Sequence, residues 1–228
     1  MIRVHVICEG QTEEMFVKEL LAGQFQSKGV YLTPSLIGKP GHKGGNVRFD
    51  RLRIDVRNLL LHDKTAYCTT FVDFYGLPAD FPGKTEALKF FSIEEKAQCV
   101  RMAMTKELEP FLNSTDGMRR FIPYVQMYEF ESLLFSSPDS LANGISRPGL
   151  SVHFQKIRDL FNSPEMINDN PATAPSKRIK KVAPGYEKPL YGALAALEIG
   201  LDVMRRECQL FDSWLNQIER FGQEKTES

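Results

Sequence analysis

Alternating apolar and polar residues open the chain, and apolar residues at helical spacing follow them. Residues 2–8 (IRVHVIC) place Ile2, Val4, Val6 and Cys8 on one face, which predicts a partly buried first strand. Similar apolar and β-branched runs predict strands at 30–37, 66–72 and 120–127. Between them the spacing predicts helices at 12–25, 47–61 and 93–111 and a long loop at 74–89.

Strands separated by helices of this length indicate βαβ units, hence a parallel sheet with helices on both faces. The sequence therefore predicts an α/β, Rossmann-like fold with a mostly parallel four-stranded sheet. Pro123 lacks a backbone N–H, so we expect the 120–127 strand to lie at a sheet edge or to contain a bulge. The segment 136–150 is rich in Ser, Pro, Gly and Asn, which divides the chain into a core (1–135) and a helical C-terminal extension (136–228) packed on it.

The amino-acid composition excludes several classes of protein. The 228 residues include 29 Lys plus Arg and 29 Asp plus Glu, and this balance excludes binding of nucleic acid by bulk positive charge but not by a local patch. No apolar run approaches the ~18 residues of a membrane span, and no signal peptide is recognisable. Four widely spaced cysteines suit free thiols better than disulfides or a zinc site. We therefore expect a soluble cytoplasmic protein without a membrane partner.

Acidic residues follow three of the predicted strands. Glu9 follows the first, Asp73 the third, and Glu129 with Glu131 the fourth. Ligands of open parallel sheets bind outside the carboxyl ends of the strands, and carboxylates that meet there repel unless they share a cation or a proton. Oxygen ligands of this kind suit Mg²⁺ or Mn²⁺. The alternative is that each acid caps a helix or pairs with an arginine. Helical spacing after residue 128 slightly favours Glu131 over Glu129 as the acid that faces the site.

Two basic or glycine-rich segments are candidates for phosphate contacts. The loop 38–45 lies between a strand and a helix but lacks the Walker spacing, which predicts a flexible surface loop. Lys43 within this loop and Arg48 shortly after its end are candidates for phosphate contacts. The run 177–181 (KRIKK), with Lys188 close behind, is the densest positive segment. It is either a patch that contacts phosphates or a solvated helical face, and the pattern leaves both readings open.

Several short motifs together resemble a known family. The matching stretches are 8–13 (CEGQTE), 73–78 (DFYGLP), 81–83 (FPG), 127–134 (MYEFESLL), 174–179 (APSKRI) and 184–188 (PGYEK). An apolar first strand that ends in Glu-Gly, with an Asp at the end of a later strand, resembles the Toprim fold of topoisomerases, primases and overcoming-lysogenization-defect nucleases. Over nearly its whole length the chain is similar to a prokaryotic Toprim-related family catalogued as domain of unknown function 4276.

The resemblance implies a Toprim-like nuclease that uses Mg²⁺ or Mn²⁺ to cleave DNA or RNA, and that works beside a partner ATPase in phage defence. It implies that Glu9 is the general acid/base next to the metal and that Asp73 is a metal ligand. Tyr75 stands where Toprim enzymes usually carry a second Asp, so Asp80, or Glu129 and Glu131, would supply the missing oxygen. It also favours phosphate binding by Lys177, Arg178 and Lys188. The alternative is a non-catalytic Toprim-shaped module that binds a partner ATPase or a nucleotide.

Overall fold

Five parallel strands form the sheet of the computed structural model, which describes residues 1–38, 47–167 and 170–224. The strands are β1 (Ile2–Cys8), β2 (Val30–Leu36), β3 (Tyr67–Asp73), β4 (Phe121–Ile122) and β5 (Val125–Gln126). They are ordered β2-β1-β3-β4, and β5 pairs with β3 further along the same edge. This arrangement confirms the predicted α/β, Rossmann-like fold and parallel sheet.

The central strands are apolar on both faces because helices cover both sides of the sheet. On β1, Val4 and Val6 pack into one hydrophobic cluster, whereas Ile7 packs into the other. On β3, Phe71 faces the first cluster and Val72 the second. The alternation of side chains along a strand thus divides the core into two halves.

Helices occupy both faces of the sheet. The helices up to the fourth strand are α1 (Gln11–Phe16), which continues through a π-helical segment (Val17–Leu21) into α2 (Ala22–Gln26), then α3 (Phe49–His62), α4 (Lys84–Ala87), α5 (Ile93–Leu112) and α6 (Thr115–Arg119). Those that follow are α7 (Pro138–Gly144), α8 (Ser151–Arg158), α9 (Pro175–Val182), α10 (Lys188–Ile199), α11 (Leu201–Glu207) and α12 (Gln209–Glu224). Short 3-10 helices lie at Phe74–Gly76 and Phe130–Ser136. Helices α3 and α5 cover one face, whereas the helices from α7 onward pack with α1 and α2 on the other. None of the described helices is long and apolar enough to cross a bilayer.

The predicted fourth strand differs from the one observed. It is interrupted between β4 and β5, at Pro123, which has no N–H to donate. The next amide, that of Tyr124, donates instead to the Thr70 hydroxyl at 2.9 Å. The ring of Tyr124 stacks on Trp214 of α12 with centroids 4.3 Å apart. The strand therefore lies at the sheet edge, as Pro123 indicated. The predicted loop 74–89 also differs, because it contains the Phe74–Gly76 helix and α4.

The C-terminal elements pack directly on the first half of the chain. One hydrophobic cluster contains Val6 and Phe16 together with Phe154, Tyr186 and Trp214. The boundary predicted at residue 135 thus lies within a shared core. Packing of this kind brings residues far apart in the sequence to the carboxyl edge of the sheet.

Candidate active site: an acidic cluster at the carboxyl edge of the sheet

The ends of β1 and β3 bring the first two predicted acids together. Because these strands are parallel neighbours, Glu9 lies next to the end of β3, and its Oε2 accepts a hydrogen bond from the Asp73 amide at 3.0 Å. Asp73 pairs in register with Gln126 of β5. Its Oδ1 accepts from the amide of Phe130 at 2.9 Å. Backbone amides therefore orient one oxygen of each carboxylate.

The turn after β3 lies directly against Glu9. A Cβ placed on Gly76 would come within 2.3 Å of Oε1 of Glu9, so only glycine permits this approach. The turn is anchored by Lys84 of α4, whose ammonium group donates to the carbonyl oxygen of Phe74. Burial, with the charge of Lys96 added, lowers the pKa of Lys84 to about 8. Lys84 is therefore a structural cation that holds the turn in place.

Glu129 and Glu131 share a cation at the start of α10. The Nζ atom of Lys188 lies 3.0 Å from Oε2 of Glu131 and 3.5 Å from Oε1 of Glu129. Glu129 also accepts hydrogen bonds from the amide and hydroxyl of Ser176, at 2.8 and 3.0 Å. Both acids thus face the site, whereas the sequence favoured Glu131. The backbone is still extended at Glu129, so these acids, two positions apart, remain on one side.

Sequence reasoning missed two members of the site. Glu13 of α1 is buried, and its Oε2 accepts from the amide of Gly10 at 2.9 Å. Its position four residues after Glu9, at the start of a helix, was the available signal. The hydroxyl of Tyr186 is buried and has no hydrogen-bond partner in the parts of the chain that the structure describes. Only its place in the stretch 184–188 pointed to it.

We call Glu9, Glu13, Asp73, Glu129 and Glu131 the acidic cluster. Burial raises the pKa of Glu13 and of Glu131 to about 7. Burial and then the neighbouring carboxylates raise the pKa of Asp73, and burial likewise raises that of Glu9. Burial opposes ionisation of Lys188, but the surrounding carboxylates outweigh it and raise its pKa. One half-exposed lysine thus faces five acids, and the excess negative charge requires protons or a further cation.

Glu131 contributes a buried oxygen without a hydrogen-bond partner. Oε1 of Glu131 is buried and unpartnered among the described residues, while its Oε2 binds Lys188. Across residues 1–38, 47–167 and 170–224, no group of three or more His, Cys, Asp or Glu side chains is arranged to hold a metal ion. The cluster is therefore organised around Lys188 and contains a buried oxygen, Oε1 of Glu131, that is left for a ligand.

A comparison with protein families places the chain. The family described as "Domain of unknown function (DUF4276)" matches residues 8–219. The chain belongs to this family. The match confirms the expected resemblance to domain of unknown function 4276, and it spans the acidic cluster and Lys188. Searches of curated proteins and of solved structures gave no match.

The remaining predicted site residues of this DUF4276 chain lie outside the acidic cluster. Asp80 is exposed and lines a separate cavity of about 300 Å³ with Arg48. Lys177 is exposed, and Arg178 donates from Nε to the carbonyl oxygen of Thr173 at 2.7 Å. Lys188 lies among acids and not on a free basic surface. Lys43 and residues 39–45 of the glycine-rich loop lie outside the described residues.

Proposed function

We propose that this protein is a Mg²⁺- or Mn²⁺-dependent phosphodiesterase that cleaves nucleic acid. The observation that carries the proposal is the buried, unpartnered Oε1 of Glu131, which lies in a cluster of five acids served by one lysine. Hard oxygen atoms in excess over positive charge are the donors that these cations prefer. The resemblance to Toprim enzymes implies that Asp73 is a ligand of the cation with Glu9 beside it, and Glu131 would supply a further oxygen.

The residues of the chain have distinct parts in such a reaction. When bound, the cation would offset charge that develops at phosphorus and activate water. Glu9 would act as general acid/base, because its pKa is raised, chiefly by burial, which makes its carboxylate a better proton acceptor. The amide of Asp73 fixes Oε2 of Glu9, which directs proton transfer to Oε1. Lys188 would hold Glu129 and Glu131 in place and offset part of their charge.

The biological setting is also part of the proposal. Toprim nucleases often work beside an ATPase in phage defence, and the sequence carries no Walker motif of its own, so the ATPase would be a separate partner. All four cysteines are free thiols, which supports the reducing cytoplasm as the location.

A second candidate is a non-catalytic module that binds a partner ATPase or a nucleotide. It is favoured by the position of Lys188, which already neutralises part of the cluster. A row of exposed leucines on α10 also favours it, because Leu190, Leu194 and Leu197 are 43–50% exposed on the helix that begins at Lys188. Exposed apolar rows of this kind are typical of contacts with other proteins.

Binding of Mn²⁺ separates the two candidates without knowledge of the substrate. The experiment measures Mn²⁺ affinity by electron paramagnetic resonance of the free ion, together with thermal unfolding, for wild type, Asp73→Asn and Asp80→Asn. Asparagine at position 73 can still accept the hydrogen bond from Phe130, so the variant should fold. Asp80→Asn is the matched control, because it removes an exposed carboxylate outside the cluster.

The phosphodiesterase proposal expects Mn²⁺ at ~100 times its dissociation constant to stabilise wild type by ~2.7 kcal/mol, a rise in Tm of about 5–10 °C. Asp80→Asn should retain this shift, and Asp73→Asn should lose it together with cleavage of labelled DNA or RNA. Absence of Mn²⁺ binding by wild type, with Asp73→Asn as stable as wild type or more so, would refute the proposal. The acids would then merely repel, and the binding module would be the better account.

A further inference from the structure

A groove between α8 and α9 is lined by positive side chains. Its cavity measures about 550 Å³. Five basic residues line it: His153 and Lys156 from α8, and Lys177, Arg178 and Lys181 from α9. No acidic side chain is among the described residues that line it. We call this cavity the basic groove.

The cations of the basic groove are available to a ligand. Lys156, Lys177 and Lys181 are exposed, and none of them forms an ion pair within the described parts of the chain. Arg178 is fixed by its bond to Thr173 and by the ring of Phe161, which lies 5.3 Å from the guanidinium carbon. Like charges on facing walls repel, so an anion between them lowers the free energy of the arrangement.

We propose that the basic groove binds the backbone of a single-stranded nucleic acid and leads it to the acidic cluster. The lining of the groove also includes apolar side chains, those of Leu150, Ile157 and Val182 among them. Proteins that bind single strands combine a positive groove for the phosphates with side chains, usually aromatic ones, against which the bases pack. A duplex hides its base faces within the stack and gains little from such a lining.

The position of α9 favours a polymer over a free nucleotide. Ser176, in the first turn of α9, hydrogen-bonds Glu129 of the acidic cluster, and the next residue, Lys177, lines the basic groove. Lys181 lies one turn further along the same helix, about 6 Å away along its axis. Consecutive residues of α9 thus contact the acidic cluster and line the groove, an arrangement that suits a chain of phosphates better than a mononucleotide. That the bound polymer is a nucleic acid rests on the proposed function.

The experiment measures binding apart from cleavage. Fluorescence anisotropy in EDTA reports the affinity of labelled single-stranded DNA and RNA of about 12 nucleotides at several salt concentrations. The groove variant is Lys156→Gln/Lys177→Gln/Lys181→Gln. The control variant, Lys64→Gln/Lys89→Gln/Lys180→Gln, removes the same charge from exposed lysines that do not line the groove, one of them on α9. None of these lysines belongs to the acidic cluster.

Each phosphate contact with a single strand contributes ~0.7 to the slope of log K against log salt concentration. Loss of three contacts should reduce the slope by about 2 and weaken binding about 100-fold at 0.1 M salt. The control variant should bind within about threefold of wild type, since none of its three lysines lines the groove and salt screens charges that lie outside it.

Three outcomes would overturn the inference: wild type that binds neither oligonucleotide, equal losses in both variants, or a mononucleotide that competes as well as the oligonucleotide. The last would indicate a nucleotide site. Because EDTA removes divalent cations, failure here is distinct from failure of the proposed chemistry. Wild type that binds strands but not Mn²⁺ would retain the groove and refute only the phosphodiesterase.

Discussion

Replacement of Lys188 by methionine tests whether the acidic cluster depends on one cation. Glu131 is 1% exposed, whereas the Lys188 side chain is 36% exposed. Loss of one partner of a fully buried pair costs ~3–5 kcal/mol, and exposed pairs contribute less than ~1 kcal/mol. Because the lysine end of this pair is partly screened by solvent, we expect Lys188→Met to lower the free energy of unfolding by about 2 kcal/mol at pH 8.

The cost should depend on pH because Glu131 titrates. Its pKa is already raised to about 7 with Lys188 present, chiefly by burial, and removal of the lysine would raise it further. At pH 5 Glu131 is therefore protonated in both proteins, and no buried charge is left unpaired in the variant. We expect the loss at pH 5 to be under ~1 kcal/mol.

A double-mutant cycle with Glu131→Gln isolates the pair. Urea denaturation in EDTA at pH 5 and pH 8 gives the free energies for wild type, both single variants and the double variant. The control is Lys28→Met, which removes an exposed partner of Glu219 at 2.7 Å. The pKa of Glu219 is lowered overall, because its bonds to Arg205 and Lys28 outweigh burial, so the control should lose similar stability at both pH values. A loss for Lys188→Met that is the same at pH 5 and pH 8, or a coupling under ~0.5 kcal/mol at pH 8, would refute the reasoning.

Two further predictions concern single positions. Gly76→Ala should displace the Glu9 carboxylate, lower the free energy of unfolding by ~1–3 kcal/mol and abolish the Mn²⁺-induced rise in Tm. The control is Gly23→Ala, where the added methyl group meets nothing within 4 Å, so stability should be unchanged or higher. An unchanged Mn²⁺ response in Gly76→Ala would contradict this prediction. Burial raises the pKa of Glu165 from 4.5 to about 7, so the folded state holds a proton that the unfolded state releases. The stability that protonated Glu165 contributes is fully present below pH 4.5 and is lost as the pH rises through 7. Glu165→Gln cannot titrate, so its Tm should vary less with pH than that of wild type. A dependence of Tm on pH identical to that of wild type would contradict the assignment.

The sequence predicted the sheet because its signals are local. Apolar residues alternate on β1, and helical repeats separate it from β2 and β3, so strand positions and parallel pairing followed from spacing. Because parallel strands end at one edge of the sheet, their positions then predicted that Glu9 and Asp73 lie close together. Pro123 likewise indicated an edge strand, because a missing N–H is a property of the residue itself.

The rest of the site depends on tertiary packing. Lys188 contacts Glu131 across 57 positions of the chain, and no periodicity encodes that contact. The sequence therefore grouped the run 177–181 with Lys188 as one candidate phosphate-binding surface. In the structure Lys188 belongs to the acidic cluster, whereas Lys177, Arg178 and Lys181 line the basic groove. Tyr186 reaches the cluster only through the packing of the C-terminal elements. Long-range contacts of this kind follow from the shape of the core, which single-sequence patterns do not contain.

Although the net charge of the chain is zero, negative and positive side chains are segregated around α9. At its start Ser176 binds an acid of the cluster, while Lys177 and Lys181 line the basic groove. A polyanion drawn into the groove would meet repulsion at the cluster unless protons or cations neutralise the carboxylates there. Attraction and repulsion therefore adjoin along one short helix, and under the proposal the charge state of the cluster would govern how far a strand advances beyond the groove. Neutral composition excludes a protein that holds nucleic acid by bulk charge, but it is compatible with one that holds a strand in a local basic groove and lets it reach the acids only when they are neutralised.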